Sequence, residues 1–281
     1  MPSPSSPRSW RRADRVSAIL DHLDAAGSIS VPELAAMFGV SLATVRRDLQ
    51  LLEEQKLLER THGGAVAVEA AHELPLRYRA AQTAQKRDIA RVAVSRVPMG
   101  AVVGLTGGST TTEVARQLAV RESLSVVTNA LNIAAELALR PKVKVVVPGG
   151  VARPQSYELV GLWSEQALRV LNVGVAIVGV DGVDPDGGLT THDEVEAQTN
   201  AALLSRARRV IVVADGSKLG RVHLARIAGI DDVDEIITDA QADPAEVQRL
   251  RSAGATVTLA PPSAARRLAA VPEPDDIEEP T

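Results

Sequence analysis

At 281 residues with 45% hydrophobic side chains, the chain is long enough for a small domain plus one larger one. It has no cysteine, which excludes disulfides, thiolate metal sites and a thiol nucleophile, and its five histidines lack metalloenzyme spacing. The net charge of −4 is only a mild mark against nucleic-acid binding: discounting the five acids of residues 272–281 leaves +1, and phosphate responds to local charge.

Residues 1–10 are rich in Pro and Ser and are expected to be disordered. They lack the apolar core of a signal peptide, and no apolar run reaches membrane-spanning length, so a cytoplasmic protein without membrane contact is expected. Over 11–26, Val16, Ile19, Leu20 and Leu23 recur at helical spacing before Gly27. Arg8, Arg11, Arg12 and Arg15 near the start are either solvated or close to a DNA backbone.

Ser30 and Glu33 form a capping box for a second helix, with Pro32 tolerated in its opening turn. Leu34, Ala35 and Phe38 share one face, and Gly39 supplies a stop. Ser41 caps a third helix whose Val45, Leu49 and Leu52 face inward. Leu42, Ala43, Thr44, Arg46, Arg47 and Gln50 are left on its outer and flanking faces. A helix with a small, hydroxyl-rich start and paired arginines suits the major groove of double-stranded DNA, though Asp48, Glu53, Glu54 and Glu59 dilute its field. The helix is expected to run to Leu58. Residues 57–66 read as a hairpin in which Gly63 and Gly64 permit positive φ, and Arg60 and His62 touch phosphate or the minor groove. Residues 11–68 thus spell a winged helix-turn-helix.

The run VSLATVRRDLQLLEEQKLLERTHGGA strongly resembles the DNA-binding head of the DeoR-type (DeoR/GlpR) bacterial transcriptional repressors. The resemblance implies a sequence-specific regulator with Ser41, Thr44, Arg46 and Arg47 on or beside the recognition surface.

Residues 69–85 form a polar linker containing Pro75, and a helix follows from Lys86. Over 86–262, β-branched runs (101–105, 125–128, 143–147, 174–180, 210–214, 235–238 and 256–259) alternate with helical segments. Continuous apolar strands separated by helices mean a mostly parallel sheet covered on both faces, an α/β domain. Residues 263–281 are expected to be a disordered acidic tail.

Ligands of such sheets bind at the carboxyl ends of strands. The first strand ends in Thr106, Gly107, Gly108, Ser109, Thr110 and Thr111, either an anion cradle or simply a tight turn into a helix. It has neither the GK[ST] of a nucleotide loop nor GxGxxG, so no nucleotide cofactor is expected. Thr128 and Asn129 follow the second strand, Gly149 and Gly150 the third, Asp181 and Gly182 the fourth, and Asp215 to Lys218 the fifth. Hydroxyls, amide, carboxylate and lysine on one rim suit a phosphorylated sugar or polyol, lysine taking phosphate and Asp and Asn taking hydroxyls. The spacing of Asp181, Asp184 and Asp186 falls short of a calcium loop, and no metal is expected.

TGGSTTTEVA, VVTN, VPGG, GVDGV, GGLTT and VADGSKLG look like the DeoR-type sensor domain, similar in fold to ribose-5-phosphate isomerase. The resemblance implies phosphate binding at Gly107, Gly108, Ser109, Thr110 and Thr111, and sugar contacts from Thr128, Asn129, Gly149, Gly150, Asp181 and Lys218. Glu194 and Glu196 lie in a loop that follows the pattern only loosely. The expected protein is a homo-oligomeric (dimeric or tetrameric) repressor of a carbohydrate operon, relieved by its effector. The competing reading is a sugar-phosphate isomerase with Asp181 as base and Lys218 steadying an enediolate; a weaker third is an architectural DNA binder.

Overall fold

The computed structural model describes residues 10, 12–54, 57–66, 83–121 and 123–263. The expected disorder of residues 1–9 and 264–281, and most of the linker, lie outside them. The chain divides into two compact units, Met1–Thr83 with Val151–Leu159, and Ala84–Gly150 with Val160–Thr281.

In the first unit, α1 (Arg12–Ala26) leads through β1 (Ser28–Ser30) into α2 (Val31–Phe38) and α3 (Leu42–Glu54). Ser30 Oγ accepts from Glu33 N while the Glu33 carboxylate accepts from Ser30 N, and Gly39 closes α2 at φ 64°. Thr44 N donates to Ser41 Oγ, capping α3. Ile19, Leu34, Val45, Leu49 and Leu52 are completely buried around one core. β2 (Glu59–Arg60) and β3 (Gly64–Val66) form the hairpin, and β1, unforeseen, completes a sheet in the order β1-β3-β2.

Four expectations change here. α3 ends at Glu54 rather than Leu58. Leu57 and Leu58 lie beyond it and are buried, the Leu57 amide donating to the Leu52 carbonyl at 2.9 Å. Neither Gly63 nor Gly64 has positive φ; Gly64 is needed for close approach, since a Cβ there would lie 2.1 Å from the Ile29 carbonyl oxygen. Asp48 does not dilute an outer field, because its position after Val45 puts it on the inner flank. It is buried, with Arg15 Nη2 at 2.8 Å and Arg12 Nε at 3.4 Å, so Arg15 is neither solvated nor a DNA contact. Finally Trp10, assigned to the disordered start, packs edge-on against Phe38 at 5.0 Å and accepts from Arg15 through its carbonyl.

In the second unit, α4 (Thr83–Ser95) starts three residues before the expected Lys86. A seven-stranded sheet follows, in the order β15 (Val257–Ala260), β14 (Glu235–Asp239), β12 (Val210–Val213), β9 (Val175–Val178), β4 (Val102–Leu105), β5 (Leu124–Thr128) and β6 (Val143–Val146). All its pairings are parallel. Alternation along each strand feeds two cores. Val175, Ile177, Ile211 and Val213 join α4, α5 (Ser109–Leu118) and α6 (Leu131–Ala138) on one face. Ala176, Val178, Val210 and Val212 join α8 (Glu194–Leu204) and α9 (Pro244–Ser252) on the other.

Elements beyond the expected alternation are the pair β7 (Val151–Ala152) and β8 (Leu159–Val160) before α7 (Leu162–Arg169), and α9. A small antiparallel sheet, β10 (Gly182–Asp184), β11 (Gly188–Thr191) and β13 (Ala225–Ala228), was also unforeseen. The acidic run beside it is a turn: Asp184 accepts from the amides of Asp186 and Gly187, and its other oxygen pairs with Arg249. Ser263, placed in the tail, donates its amide to Asp88.

Candidate functional site

On α3 the outward set is presented as its spacing demands. Ala43, Arg46, Arg47 and Gln50 are exposed, Thr44 is half-buried, and exposed Ser41 shares a hydrogen bond with Thr44 Oγ1 at 2.9 Å. Gln50 is tied to Glu54 at 3.1 Å. On the hairpin, His62 is exposed, whereas the Arg60 guanidinium sits 3.6 Å from the Glu53 carboxylate and is partly neutralised. Arg46 and Arg47 thus stand outward on the helix whose inner face anchors the core, the arrangement a groove-reading helix requires.

In the second unit, parallel pairing puts the ends of β6, β5, β4, β9 and β12, five neighbouring strands, on one edge. β4 passes through Gly108 (φ 123°) into α5; an L side chain there would be strained, and its Cβ would press on Thr111 Oγ1 at 3.2 Å. The first-turn amides of α5 have no acceptor within the helix and carry its positive dipole end. The hydroxyls of Thr111 and Thr112 are already committed, both donating to the Gly108 carbonyl. What α5 offers an anion is therefore mainly backbone N–H, with Ser109 half-buried beside it and Thr110 buried. Gly107 is buried, and the Gly179 amide donates to Thr106 Oγ1 at 2.9 Å, joining the β4 and β9 ends.

Asp181 and Lys218 meet, Lys218 Nζ lying 3.7 Å from Asp181 Oδ1. The other Asp181 oxygen accepts from Thr191 Oγ1 at 3.0 Å and lies 2.9 Å from His192 Nδ1. Thr191 also reaches Glu196 at 2.8 Å, so Glu196 belongs to this cluster, whereas Glu194 is exposed. His223 Nε2 lies 3.2 Å from the Asp181 carbonyl oxygen. Burial, reinforced by His192, holds the His223 imidazole below its ordinary pKa, and Lys218 adds to this against the pull of Asp181. Next along the rim, Asp215 pairs with buried Lys86 of α4 at 3.8 Å.

Thr128 and Asn129 are completely buried: Thr128 Oγ1 caps the Ala130 amide, and Asn129 donates to Asn200 of α8 at 3.2 Å. Gly149 accepts from Ser164 of α7 through its carbonyl, and Gly150 lies against Val160. The rim is contiguous, and Asp181, Thr128 and Asn129 are buried along it. Sequence reading missed both histidines at Asp181; they are 31 residues apart and only the small sheet joins them. A cleft of about 800 Å³ opens instead at the opposite strand ends, lined by Gly100, Asn172, Gly174, Arg206 and Arg208. Arg206 there is bound to Leu171 and Asn172, and the polar groups converge at the other edge. Among the described residues no group of three His, Asp or Glu side chains is set to hold a metal, and no helix is long and apolar enough to cross a membrane.

Comparison with known proteins fits both units. A DeoR-like helix-turn-helix domain matches residues 15–71 and a DeoR C-terminal sensor domain matches residues 81–240. Among relatives, the HTH-type transcriptional regulator GlpR of Haloferax volcanii is 36% identical over 87% of this chain and 96% of its own length. The glycerol-3-phosphate regulon repressor of Escherichia coli is 33% identical over 82% and 92%. The transcriptional repressor AccR of Agrobacterium fabrum is 37% identical over 80% and 89%. A ribose 5-phosphate isomerase from Methanocaldococcus jannaschii aligns over 48% of this chain and 53% of its own at a TM-score of 0.36 and 22% identity, a likeness too slight to bear on activity. The relatives matched along nearly their whole length are regulators and not isomerases; this chain belongs to the DeoR family of DNA-binding transcriptional regulators.

Proposed function

We propose that the protein is a cytoplasmic, homo-oligomeric repressor of a carbohydrate operon that grips double-stranded operator DNA through α3 and the hairpin and is released by a phosphorylated sugar or polyol. Ser41, Ala43, Thr44, Arg46, Arg47 and Gln50 read or brace the major groove, while Arg60 and His62 touch the backbone or minor groove. The effector's phosphate meets the α5 amides at Gly107 to Thr111, and its hydroxyls meet groups from Thr128, Asn129, Gly149, Gly150, Asp181 and Lys218. One observation carries the effector half: five neighbouring strand ends bring Gly108 at a helix start and the Asp181–Lys218 pair to a single edge. The name of one relative, a glycerol-3-phosphate regulon repressor, supports a small phosphorylated polyol as the class to try first.

The test is a gel shift on the protein's own upstream DNA with a panel of phosphorylated sugars and polyols. At least one should release the complex, and Lys218→Ala should bind DNA as wild type does yet ignore that compound. Full release of the Lys218→Ala complex by the same compound would refute the pocket assignment.

A further inference from the structure

We propose that His192 and His223 line the effector pocket and together take up one proton when an anionic effector binds, so that the pair sets which anion is accepted and at what pH. This deepens the effector reading above and rests on it.

The small antiparallel sheet is arranged around Asp181. β10 begins one residue after it, β11 runs into His192, and β13 starts two residues after His223. The two rings consequently lie against each other, tilted by 38° with centroids 4.0 Å apart. His192 Nδ1 faces an Asp181 carboxylate oxygen at 2.9 Å, and His223 Nε2 faces the Asp181 carbonyl at 3.2 Å. Oxygens of these kinds accept, so those nitrogens carry hydrogen. In neutral rings the opposite nitrogens, His192 Nε2 and His223 Nδ1, are then the sites open to a proton.

Charge makes that proton matter. The Lys218 ammonium is matched by Asp181 at 3.7 Å. Thr191 has a single hydroxyl hydrogen facing both Asp181 at 3.0 Å and Glu196 at 2.8 Å, so Glu196 brings a second carboxyl group and no cation to the cluster. A phosphate or carboxylate entering here meets a centre that is neutral or negative until an imidazole is protonated. Before binding, burial and the neighbouring His192 and Lys218 favour neutral His223, against Asp181. Two imidazolium rings this close, next to an ammonium, repel, so a second proton on the pair is disfavoured in the neutral range. The other charged groups on the adjoining elements are Asp184 of β10, paired with Arg249, Asp186 in the turn after it, Asp193 and Glu194 at the start of α8, Arg221 on the loop before β13, Arg226 on β13, and Asp215, paired with Lys86. Uptake of one proton means affinity is highest at low pH and falls by up to about tenfold per pH unit above the pair's own value.

Calorimetric titration of the full chain with glycerol 3-phosphate and ribose 5-phosphate, at pH 7.5 in buffers of different ionisation heat, tests this. His192→Asn and His223→Gln keep a donor in the position each ring uses toward Asp181 while removing the titrating nitrogen. Wild type should take up close to one proton per ligand more than the protein carrying both changes, and should lose affinity more steeply between pH 7 and 8. If wild type and the double variant bind with equal proton counts, the pair lies outside the pocket and the effector reading survives. If neither phosphate binds wild type and a thermal-shift panel of phosphorylated sugars is blank, the effector reading falls and takes this proposal with it. Imidazole C–H resonances of wild type give a check independent of any variant's folding: both rings must shift on adding ligand, and unmoved resonances overturn the proposal.

Discussion

Removing the Asp48 carboxyl would strand the Arg15 guanidinium, whose side chain is 10% exposed, with a lone carbonyl for company. An uncompensated charge at that depth costs about 3–5 kcal/mol. Asp48→Ala should therefore speed amide exchange across α3 in the full chain, and a second change, Arg15→Met, should recover much of the loss because a buried pair is replaceable by apolar groups. Arg47 is the opposite case, an exposed side chain that contributes nothing to the core. Arg47→Ala should leave exchange across α3 unchanged and weaken operator binding on the order of ten- to a hundredfold in a gel shift at fixed salt; unchanged affinity would remove Arg47 from the interface. The two arginines cannot be told apart by residue type. The register with Val45 does separate them, since positions three and four residues on share the buried face and Asp48 draws Arg15 inward. The contacts at Asp181 had no such signal: its partners Thr191 and His223 lie 10 and 42 residues along the chain, and only folding joins them.

Among the elements, Glu235 at the start of β14 acts as a clamp. Its carboxylate takes Arg96, just past α4, at 3.0 Å, Arg209, just before β12, at 2.7 Å, and Thr258 of β15 at 2.8 Å. Burial works against the charged form, but these donors outweigh it and hold the carboxyl below its ordinary value of 4.5. A depressed carboxyl stabilises the fold above its unfolded value and loses that contribution as pH falls through its folded one. Acid unfolding of the sensor unit should accordingly steepen below about pH 4.5, and Glu235→Gln should flatten that dependence while lowering the neutral-pH melting temperature. A variant with the wild-type acid profile would show that the clamp is not what titrates. The sheet elements were legible because burial on both faces leaves continuous apolar runs such as Val210 to Val213. Strands β10, β11 and β13 were not, because short mixed segments such as Gly182–Asp184 gain their structure from distant pairing rather than local pattern. α9 could have been read: Asp243 caps it, Pro244 opens it, and Val247 and Leu250 are buried three residues apart.

For the molecule as a whole, an effector can release DNA only by binding the DNA-free form more tightly than the DNA-bound one. The coupling is reciprocal: whatever factor the effector removes from operator affinity, saturating operator must remove from effector affinity. For a regulator of this kind the factor is on the order of 5–150-fold. Effector affinity measured by calorimetry with and without saturating operator duplex should change by the same factor as operator affinity measured with and without saturating effector. The proton proposed for the histidine pair enters the same cycle. If that proton is taken up only with effector, the pair has no reason to titrate on DNA binding alone, so operator affinity without effector should follow the same profile across pH 6.5–8 in wild type and in His223→Gln. With subsaturating effector, wild type should release DNA more readily at the lower pH, and the double variant His192→Asn, His223→Gln should lose that slope. Equal slopes in the two proteins would mean the proton belongs to the phosphate ester, whose second pKa is near 6, and not to the imidazoles.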